Sequence, residues 1–439
     1  MLQSEHPGAV MTYPPVAASP FFSNASPTAT GTPSLFVHIL LIHQAFVRPQ
    51  DPGGTRHYEF AQHLVQRGHR VTVLAGTRSY LTGEPLGAER RQMLEPGLEV
   101  VRCRVLGGAG NSSFQRTLGF LSFVVSSFWE GLRIRQVSLI WGTSPPLFQG
   151  WTAWALARLK RVPWLLEVRD LWPEFAVQVG VLRNRALIGL SRWLEKFLYR
   201  RADRIVVNSP GYVSHVLESG AAAGKLAFVP NGVDTSRFDP AVKSGELRVL
   251  HGLEARFIAL YAGAHGMAND LWQLLEAAEL LREDPRIALV LVGDGREKEA
   301  LQAKARGLRL ENVVFLPPVE KSRMPLLLAD ADCGLAVLKA IPMFTTTYPN
   351  KMFDTMAAGK PVVLAIDGVA RRLVEEAGAG IFVPPGDPEA LAGALRQLAD
   401  DPGEARAMGQ RGRSYVEAHY DRAQLALQME GLLLAMARG

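Results

Sequence analysis

Residues 347–363, TYPNKMFDTMAAGKPVV, set a lysine and an aspartate against a small-residue turn that runs into an apolar stretch. Lys351 offers an ammonium and Asp354 a carboxylate at i, i+3 spacing. As an exposed pair on a helix they would contribute only ~0.2–0.5 kcal/mol. Beside a phosphorylated ligand they would do more, the ammonium meeting phosphate charge and the carboxylate accepting from hydroxyls. Three glycine loops favour that second reading: PGG at 52–54, GAHG at 263–266 and GDG at 293–295. Glycine lets the backbone approach a ligand, and a helix starting just beyond offers unpaired N–H groups and a partial positive end to phosphate oxygens. Turn conformation alone explains any single loop of this kind. Three at the same topological position point to a phosphate-bearing ligand.

Other chemistries lack their signatures. No G-x-G-x-x-G follows the first strand, so a dinucleotide oxidoreductase is not supported. GAAAGKL at 220–226 is one residue short of a phosphate-binding loop and has Leu226 where Ser or Thr belongs, so it reads as a surface turn. DAD at 330–332 lies between a helix and a buried strand, where a carboxylate serves as a turn former. The ten histidines contain no H-E-x-x-H, and His57, His63 and His69 do not share a helical face. Neither a metal centre nor another cofactor is expected. GTSPP and NSPGY lack the elbow of a serine hydrolase.

The elements that must position these loops alternate strand and helix. LFVHILLI at 35–42 is a short apolar run suited to a strand buried on both faces. A loop ending in Gly53 and Gly54, a helix carrying Tyr58, Ala61, Leu64 and Val65, and a strand at 70–76 complete a βαβ unit. Further strands are expected at 137–146, 163–174, 204–209 and 226–234, with helices at 147–159 and through LSRWLEKFLYRRA. A second series has strands at 256–266, 287–295, in VVFLPPV, at 333–338 and in PVVLA. Its helices are expected at 270–283, 297–306, 388–399 and 420–437. The two series meet in the polar stretch near 235–250, and a cleft between them would receive the ligand.

Composition agrees with two domains. The 439 residues, 48% hydrophobic, suffice for two α/β cores of about 150–200 residues each. The net charge of +6 comes without a block of like charges, which disfavours a nucleic-acid partner. Cys103 and Cys333 are too few and too distant for a disulfide framework or a zinc site, which suggests a reducing compartment. Residues 1–34 read as a flexible tail in which Met11 offers a second start. The longest apolar stretch, 117–132, is broken by Ser122, Ser126, Ser127 and Glu130, and reads as a buried core helix, with a membrane-dipping helix as the alternative.

From about residue 36 to 430, ten motifs occur in one order. They are QAFVRPQDPGG, RGHRVTVLAG, TSPPL, EVRDLWPE, ADRIVVNSPG, VPNGVD, YAGAHG, LVGDG, PNKMFDTMAAGKPVV and EEAGAGIFVPPGDPEALA. Together they resemble the GT-B glycosyltransferases, specifically the retaining family 4 type that builds bacterial surface polysaccharides. Within it, the sequence looks most like the amino-sugar branch that includes the N-acetyl-fucosamine transferase of O-antigen assembly. The resemblance implies an α/β protein with two Rossmann-like domains facing each other across a cleft. Residues 35–235 would bind the acceptor and 245–420 the donor, while a helix over 421–439 would return to the first domain.

The same resemblance assigns roles. The donor would be a nucleotide-diphosphate sugar, a UDP-sugar by preference, and the acceptor a saccharide or a polyprenyl-diphosphate-linked one. Donor contacts would come from Gly263, His265, Gly266, Gly293, Asp294, Gly295 and Asn350. The family's Glu-x7-Glu pair falls on Thr346 and Asp354, which keeps a carboxylate for the ribose and leaves a hydroxyl in place of the acid that touches the sugar. The family's Arg and Lys after the first glycine loop are replaced by Ala264 and Asn269. Lys351 would then meet the diphosphate charge that grows as the glycosidic bond breaks, helped by backbone N–H groups of Gly53, Gly54 and Gly266. In EVRDLWPE, Asp170 and Glu174 become candidates for acceptor binding or for taking the acceptor proton, with His43 and Arg169 as weaker companions. The alternative for Asp170 is a loop cap. Retention would proceed by same-face attack without a covalent nucleophile.

The helix 183–201 carries Leu187, Leu190, Leu194 and Phe197 among basic residues, and seven of eight tryptophans fall in the first half. A basic amphipathic helix suits the inner face of a membrane, giving a cytoplasmic protein peripheral contact. Ordinary packing produces the same pattern and is preferred for this helix alone. Two rival functions remain: a UDP-hexosamine 2-epimerase of the same architecture, for which no carboxylate and histidine set is evident, and a non-catalytic sugar-nucleotide-binding partner.

Overall fold

Short apolar runs separated by amphipathic helices can bury both faces of a strand only in a sheet covered on both sides. The computed structural model contains two such sheets and describes residues 36–438 apart from 52, 79–84, 87–88, 107–112 and 243. The tail expected at 1–34 and Pro52 of the first glycine loop lie outside the described residues.

The N-terminal lobe begins with β1 (His38–Ile42), α1 (Arg56–Gln66), β2 (Arg70–Gly76), β3 (Arg91–Glu95), β4 (Leu98–Cys103) and α2 (Ser113–Arg133). It continues with β5 (Leu139–Ser144), α3 (Phe148–Lys160), β6 (Trp164–Val168), α4 (Glu174–Gln178), α5 (Arg185–Arg201), β7 (Arg204–Val207), α6 (Val213–Glu218) and β8 (Leu226–Phe228). The strand order is β3-β4-β2-β1-β5-β6-β7-β8, parallel except for the β3–β4 pair. The second lobe opens with α7 (Glu246–Leu250), β9 (Phe257–Ala262), α8 (Trp272–Leu280), β10 (Ile287–Val292), α9 (Lys298–Gly307), β11 (Val313–Leu316), α10 (Met324–Asp330) and β12 (Cys333–Val337). It ends with α11 (Asn350–Ala357), β13 (Val362–Ala365), α12 (Val369–Ala377), β14 (Gly380–Phe382), α13 (Pro388–Asp400) and α14 (Pro402–His419). Its order is β11-β10-β9-β12-β13-β14, all parallel.

The last helix, α15 (Arg422–Arg438), lies against α1. Leu425, Met429 and Leu433 join Phe60 and Leu64 over one face of the first sheet, where Ile39 and Leu41 point. Leu40 and Ile42 point to the other face, covered through Phe123, Leu156 and Leu198 of α2, α3 and α5. The Glu430 carboxylate accepts from Arg67 Nε at 2.7 Å, and Arg422 Nε donates to Glu59 at 2.7 Å. The chain thus crosses between lobes twice. The crossings are joined where the Val233 N–H donates to the Tyr420 carbonyl at 3.1 Å and the Arg422 N–H to the Val233 carbonyl at 2.8 Å.

Several sequence expectations need correction. The β3–β4 hairpin was not anticipated because β3 is a half-exposed edge and β4 carries Glu99 and Arg102 into the interior. Glu99 accepts from Arg91 at 3.1 Å, and Arg102 donates to the Gly76 carbonyl at 3.1 Å. The apolar helix α2 is not fully buried, since one stripe of it faces outward. The polar stretch near 235–250 holds α7, whose start is capped by Asp330 accepting from the Gly245 and Leu247 amides at 2.6 and 2.9 Å. Asp332 pairs with Arg248 at 2.7 Å, so both acids of DAD serve local structure.

Candidate active site

Each sheet reverses its strand order at one point, β1 beside β5 and β9 beside β12. Strand ends at such a point open a crevice suited to ligands. The loop with Gly53 and Gly54 leaves β1, and GAHG leaves β9. GDG leaves β10, and its backbone lies against GAHG, with the His265 N–H donating to the Asp294 carbonyl at 2.8 Å. A Cβ on Gly293 would stand 1.9 Å from the Gly263 carbonyl oxygen, and Gly293 and Gly295 have φ of 145° and 156°. Only glycine satisfies both demands. The exposed Asp294 accepts from its neighbour Gly295 N–H at 2.7 Å, shaping the loop.

Lys351, in the first turn of α11, reaches to GAHG. Its amine is 3.3 Å from Asn269 Oδ1 and 3.9 Å from the centre of the Tyr261 ring, and a Cβ on Gly263 would be 3.1 Å from it. Tyr261 in turn donates its hydroxyl to the Ala264 carbonyl at 2.8 Å. Burial lowers the amine to about 7, because one amide oxygen and a ring face replace its water. His265 is fully buried, with neither ring nitrogen hydrogen-bonded. Burial, with Lys298 and Lys351 nearby, lowers it to about 4, so the ring is neutral at physiological pH. Orphaned buried polar atoms are uncommon. Here they adjoin a buried amine, and Gly266 closes the same loop.

Lys351 and Asp354 do not form a joint corner. Asp354 accepts from Lys321 Nζ at 2.5 Å and lines a narrow pocket between the lobes with Gly54, Asn350, Glu59 and Arg422. A Cβ on Gly54 would be 3.8 Å from the Asn350 amide nitrogen. The structure therefore joins Gly54, Asn350 and Asp354 across the seam and assembles Lys351 separately with Gly263, His265 and Gly293. Gly53, with φ of 138°, turns the chain into Gly54. Thr346 is spent elsewhere: its hydroxyl donates to the Met343 carbonyl at 2.6 Å, its carbonyl accepts from Ser209 at 2.5 Å, and it packs on Gly211. The bond to Met343 occupies the hydroxyl proton and leaves its oxygen as an acceptor beside a pocket that Thr346 lines with Gly211, Asp367 and Gly368.

On the N-terminal side, β6 delivers Arg169 and Asp170 to the seam. Burial raises the Asp170 carboxyl to about 6 against the opposing pull of Arg169. The Tyr212 hydroxyl lies 3.4 Å from Asp170 and 3.3 Å from Thr347 of the other lobe. His43 is buried, 2.9 Å from Thr143 Oγ1 through Nδ1 and 3.3 Å from Arg169 through Nε2. Since a guanidinium only donates, Nε2 is the bare nitrogen. Burial, His57 and Arg169 hold His43 well below the usual histidine range. Glu174 is turned to Arg192 at 2.7 Å rather than toward Asp170. That ion pair fits a surface role better than proton transfer.

Beneath these groups Glu167 is fully buried and accepts from Arg56 at 2.8 Å and Trp141 at 3.0 Å, with His57 at 2.7 Å. His57 lies 4.1 Å from His43, ring centre to ring centre, which fixes that imidazole in turn. Sequence reasoning did not single out Glu167, Tyr212 or Lys321. Glu167 stands in EVRDLWPE, where a carboxylate inside an apolar strand was the available signal. Lys321 lies in a turn with no such mark. Among the described residues no group of three metal-binding side chains is assembled.

Comparison with known proteins adds the family. Residues 53–232 match the model of a glycosyl transferase 4-like domain, and residues 256–401 match that of glycosyl transferases group 1. The putative colanic acid biosynthesis glycosyl transferase WcaI of Escherichia coli K12 is 27% identical over 77% of this chain and 86% of its own length. The probable glycosyltransferase WbjE of Pseudomonas aeruginosa is 28% identical over 54% of this chain and 60% of its own. Sucrose-phosphate synthase from Thermosynechococcus elongatus superposes with a TM-score of 0.75 over 91% of this chain and 99% of that one, at 21% identity. Anabaena HepE in complex with UDP-glucose gives 0.68 over 91% and 99%, at 19% identity. Those structures share the GT-B fold of two parallel-sheet α/β lobes. With both domain models matched in order on that frame, the chain belongs to the group 1 glycosyltransferases and is a transferase enzyme.

Proposed function

We propose that the enzyme moves a sugar, with retention of configuration, from a UDP-sugar to a saccharide or polyprenyl-diphosphate-linked acceptor in cell-surface polysaccharide synthesis, on the cytoplasmic side. An N-acetylated amino sugar is the preferred cargo, on the resemblance of its motifs. WcaI, named for colanic acid biosynthesis, supports the pathway class, and HepE, solved with UDP-glucose, supports the donor class.

The observation that carries the reading is the half-buried Lys351, its amine set against Gly263 at the carboxyl end of β9. Diphosphate oxygens lying on GAHG and GDG would meet that amine and the neutral His265. As the bond from the sugar's anomeric carbon to the phosphate oxygen breaks, the growing negative charge falls where the cation stands. The acceptor oxygen bonds to the same carbon from the same face. Its proton passes to the departing phosphate or to Asp170, whose raised pKa of about 6 leaves it ionised yet basic near neutral pH. Asp354 would accept from the ribose hydroxyls, sharing or exchanging Lys321. The cation that the family resemblance leads one to expect at the Asn269 position would then come from α11 instead.

The test is release of UDP from a panel of UDP-sugars, with and without saccharide and lipid-linked acceptors. Acceptor-dependent release supports the proposal. Epimerised sugar formed without acceptor would replace it with the epimerase reading.

A further inference from the structure

The N-terminal lobe carries an outward apolar face that no other part of the described chain covers. Along α2, Leu118, Leu121, Val125 and Trp129 fall on one stripe and are 38%, 48%, 58% and 57% exposed. Helix α3 lies beside α2, and α5 lies beside α3, all on the sheet face away from α1 and α15. Trp151 of α3 and Trp193 of α5 extend the stripe, each with its ring centre 5.6 Å from that of Phe197. These three are the tryptophans of the protein that stand exposed. A face of this kind on a soluble lobe marks a binding surface.

Its charge indicates the partner. The three helices contain only two acidic residues, Glu130 and Glu195, and both are buried, at 5% and 2% exposure. The exposed charges among the apolar side chains are cations, including Arg158, Arg185, Lys196 and Arg200. A second copy of the same face would set these cations against each other. Tryptophans that seek an interface between apolar and wet surroundings, ringed by Arg and Lys with no acid exposed, match anionic phospholipid. No helix among the described residues is long and apolar enough to cross a bilayer, so the contact lies in the plane of the surface.

We infer that the α2–α3–α5 face docks on an anionic lipid bilayer, with Trp129, Trp151 and Trp193 in the headgroup layer. The preference for ordinary packing of 183–201 is reversed here, because Leu190 and Trp193 are 56% and 55% exposed while Leu194 and Leu198 fill the core. Arg192, next to Trp193, is paired with Glu174, four residues beyond Asp170, so the docked face borders the acceptor edge. A lipid-anchored acceptor would therefore arrive beside Asp170. That last link rests on the proposed function, and the docking itself does not.

Vesicle flotation tests the docking. The full chain is expected to float with phosphatidylcholine vesicles containing about one-third phosphatidylglycerol, about tenfold more tightly than with phosphatidylcholine alone, and to be released by about 0.5 M salt. Trp129→Gln with Trp193→Gln, and separately Arg158→Glu with Lys196→Glu, should each weaken binding about tenfold while UDP release with a soluble acceptor stays unchanged. Melting curves check that these surface variants fold. Absence of flotation at low salt overturns the inference, as does equal flotation of the variants. A solution dimer that shields the tryptophans from a quencher, and is lost in the tryptophan variant, assigns the face to self-association and also overturns it. Flotation without UDP release from any donor leaves the docking standing and removes the proposed reaction.

Discussion

Replacing Lys351 by methionine separates a phosphate-binding role from a structural one. Methionine keeps the unbranched apolar stem but ends one atom short, so it removes the charge and the amine that stands over the Tyr261 ring. The free amine titrates near 7, so at pH 9 only about 1% of the enzyme holds it charged. If donor binding requires the ammonium, kcat/KM for the donor falls about tenfold for each pH unit above 7, reaching about 100-fold at pH 9. Lys351→Met should lose about 100- to 1000-fold at pH 6 and show no such decline. Stability should move the opposite way. The unfolded lysine titrates near 10.4, so between about 7 and about 10 the unfolded chain holds a proton that the folded chain lacks, and stability rises with pH. Below 7 the penalty is complete, with an upper limit of about 4–5 kcal/mol at ~1.4 kcal/mol per unit. The variant should therefore melt higher than the wild-type protein at pH 6 while working worse. Steady-state UDP release and thermal melting over pH 6–9, run in parallel, measure both. A variant with unchanged donor kcat/KM and an unchanged pH profile would refute the phosphate grip.

Four further outcomes are expected. Asp170→Asn should lower kcat by about 100-fold and abolish the acid limb of the pH profile near 6, which steady-state kinetics over pH 5–7 would reveal. Glu167→Gln leaves Arg56 buried without its counter-charge, so urea unfolding should show a loss of about 3–5 kcal/mol. Acid should also destabilise the wild-type protein. Burial holds His57 near 4, so below about 6.5 the unfolded chain takes up a proton that the folded chain refuses, and Glu167, held low by His57 and Arg56, adds to the loss below about 4.3. Melting temperature against pH tests this. Gly293→Ala places a methyl group on the Gly263 carbonyl at a positive φ, so donor-induced thermal stabilisation should vanish.

Much of the fold was legible because buried parallel strands announce themselves as apolar runs. HILLI, RVTVLAG and IALVLV each became strands at or near their expected positions. The β3–β4 hairpin was not legible, since RQMLE carries no apolar alternation and LEVVRC hides its charges, Glu99 against Arg91 and Arg102 on the Gly76 carbonyl. At the site, GAHG and GDG could be read because close backbone approach demands glycine. The direction of side chains could not. Lys351 and Asp354 share one helix yet serve different neighbours, and which one reaches Tyr261 of β9 depends on how α11 sits over β12. The exposed tryptophans were equally opaque, because a helix sequence gives its apolar stripe but not which part of that stripe a sheet will cover.

The joined crossings of the backbone carry a mechanical consequence. A protein whose halves hang on a single tether can swing and twist freely, whereas two tethers bonded at one spot define a pivot. The mutual hydrogen bonds of Val233 with Tyr420 and Arg422 form that pivot, and α15 clamps the returning tether to α1. Two straps joined here confine the backbone's freedom between the lobes to bending about this point. Cutting the backbone within 235–245 would leave the halves still fastened by the second strap.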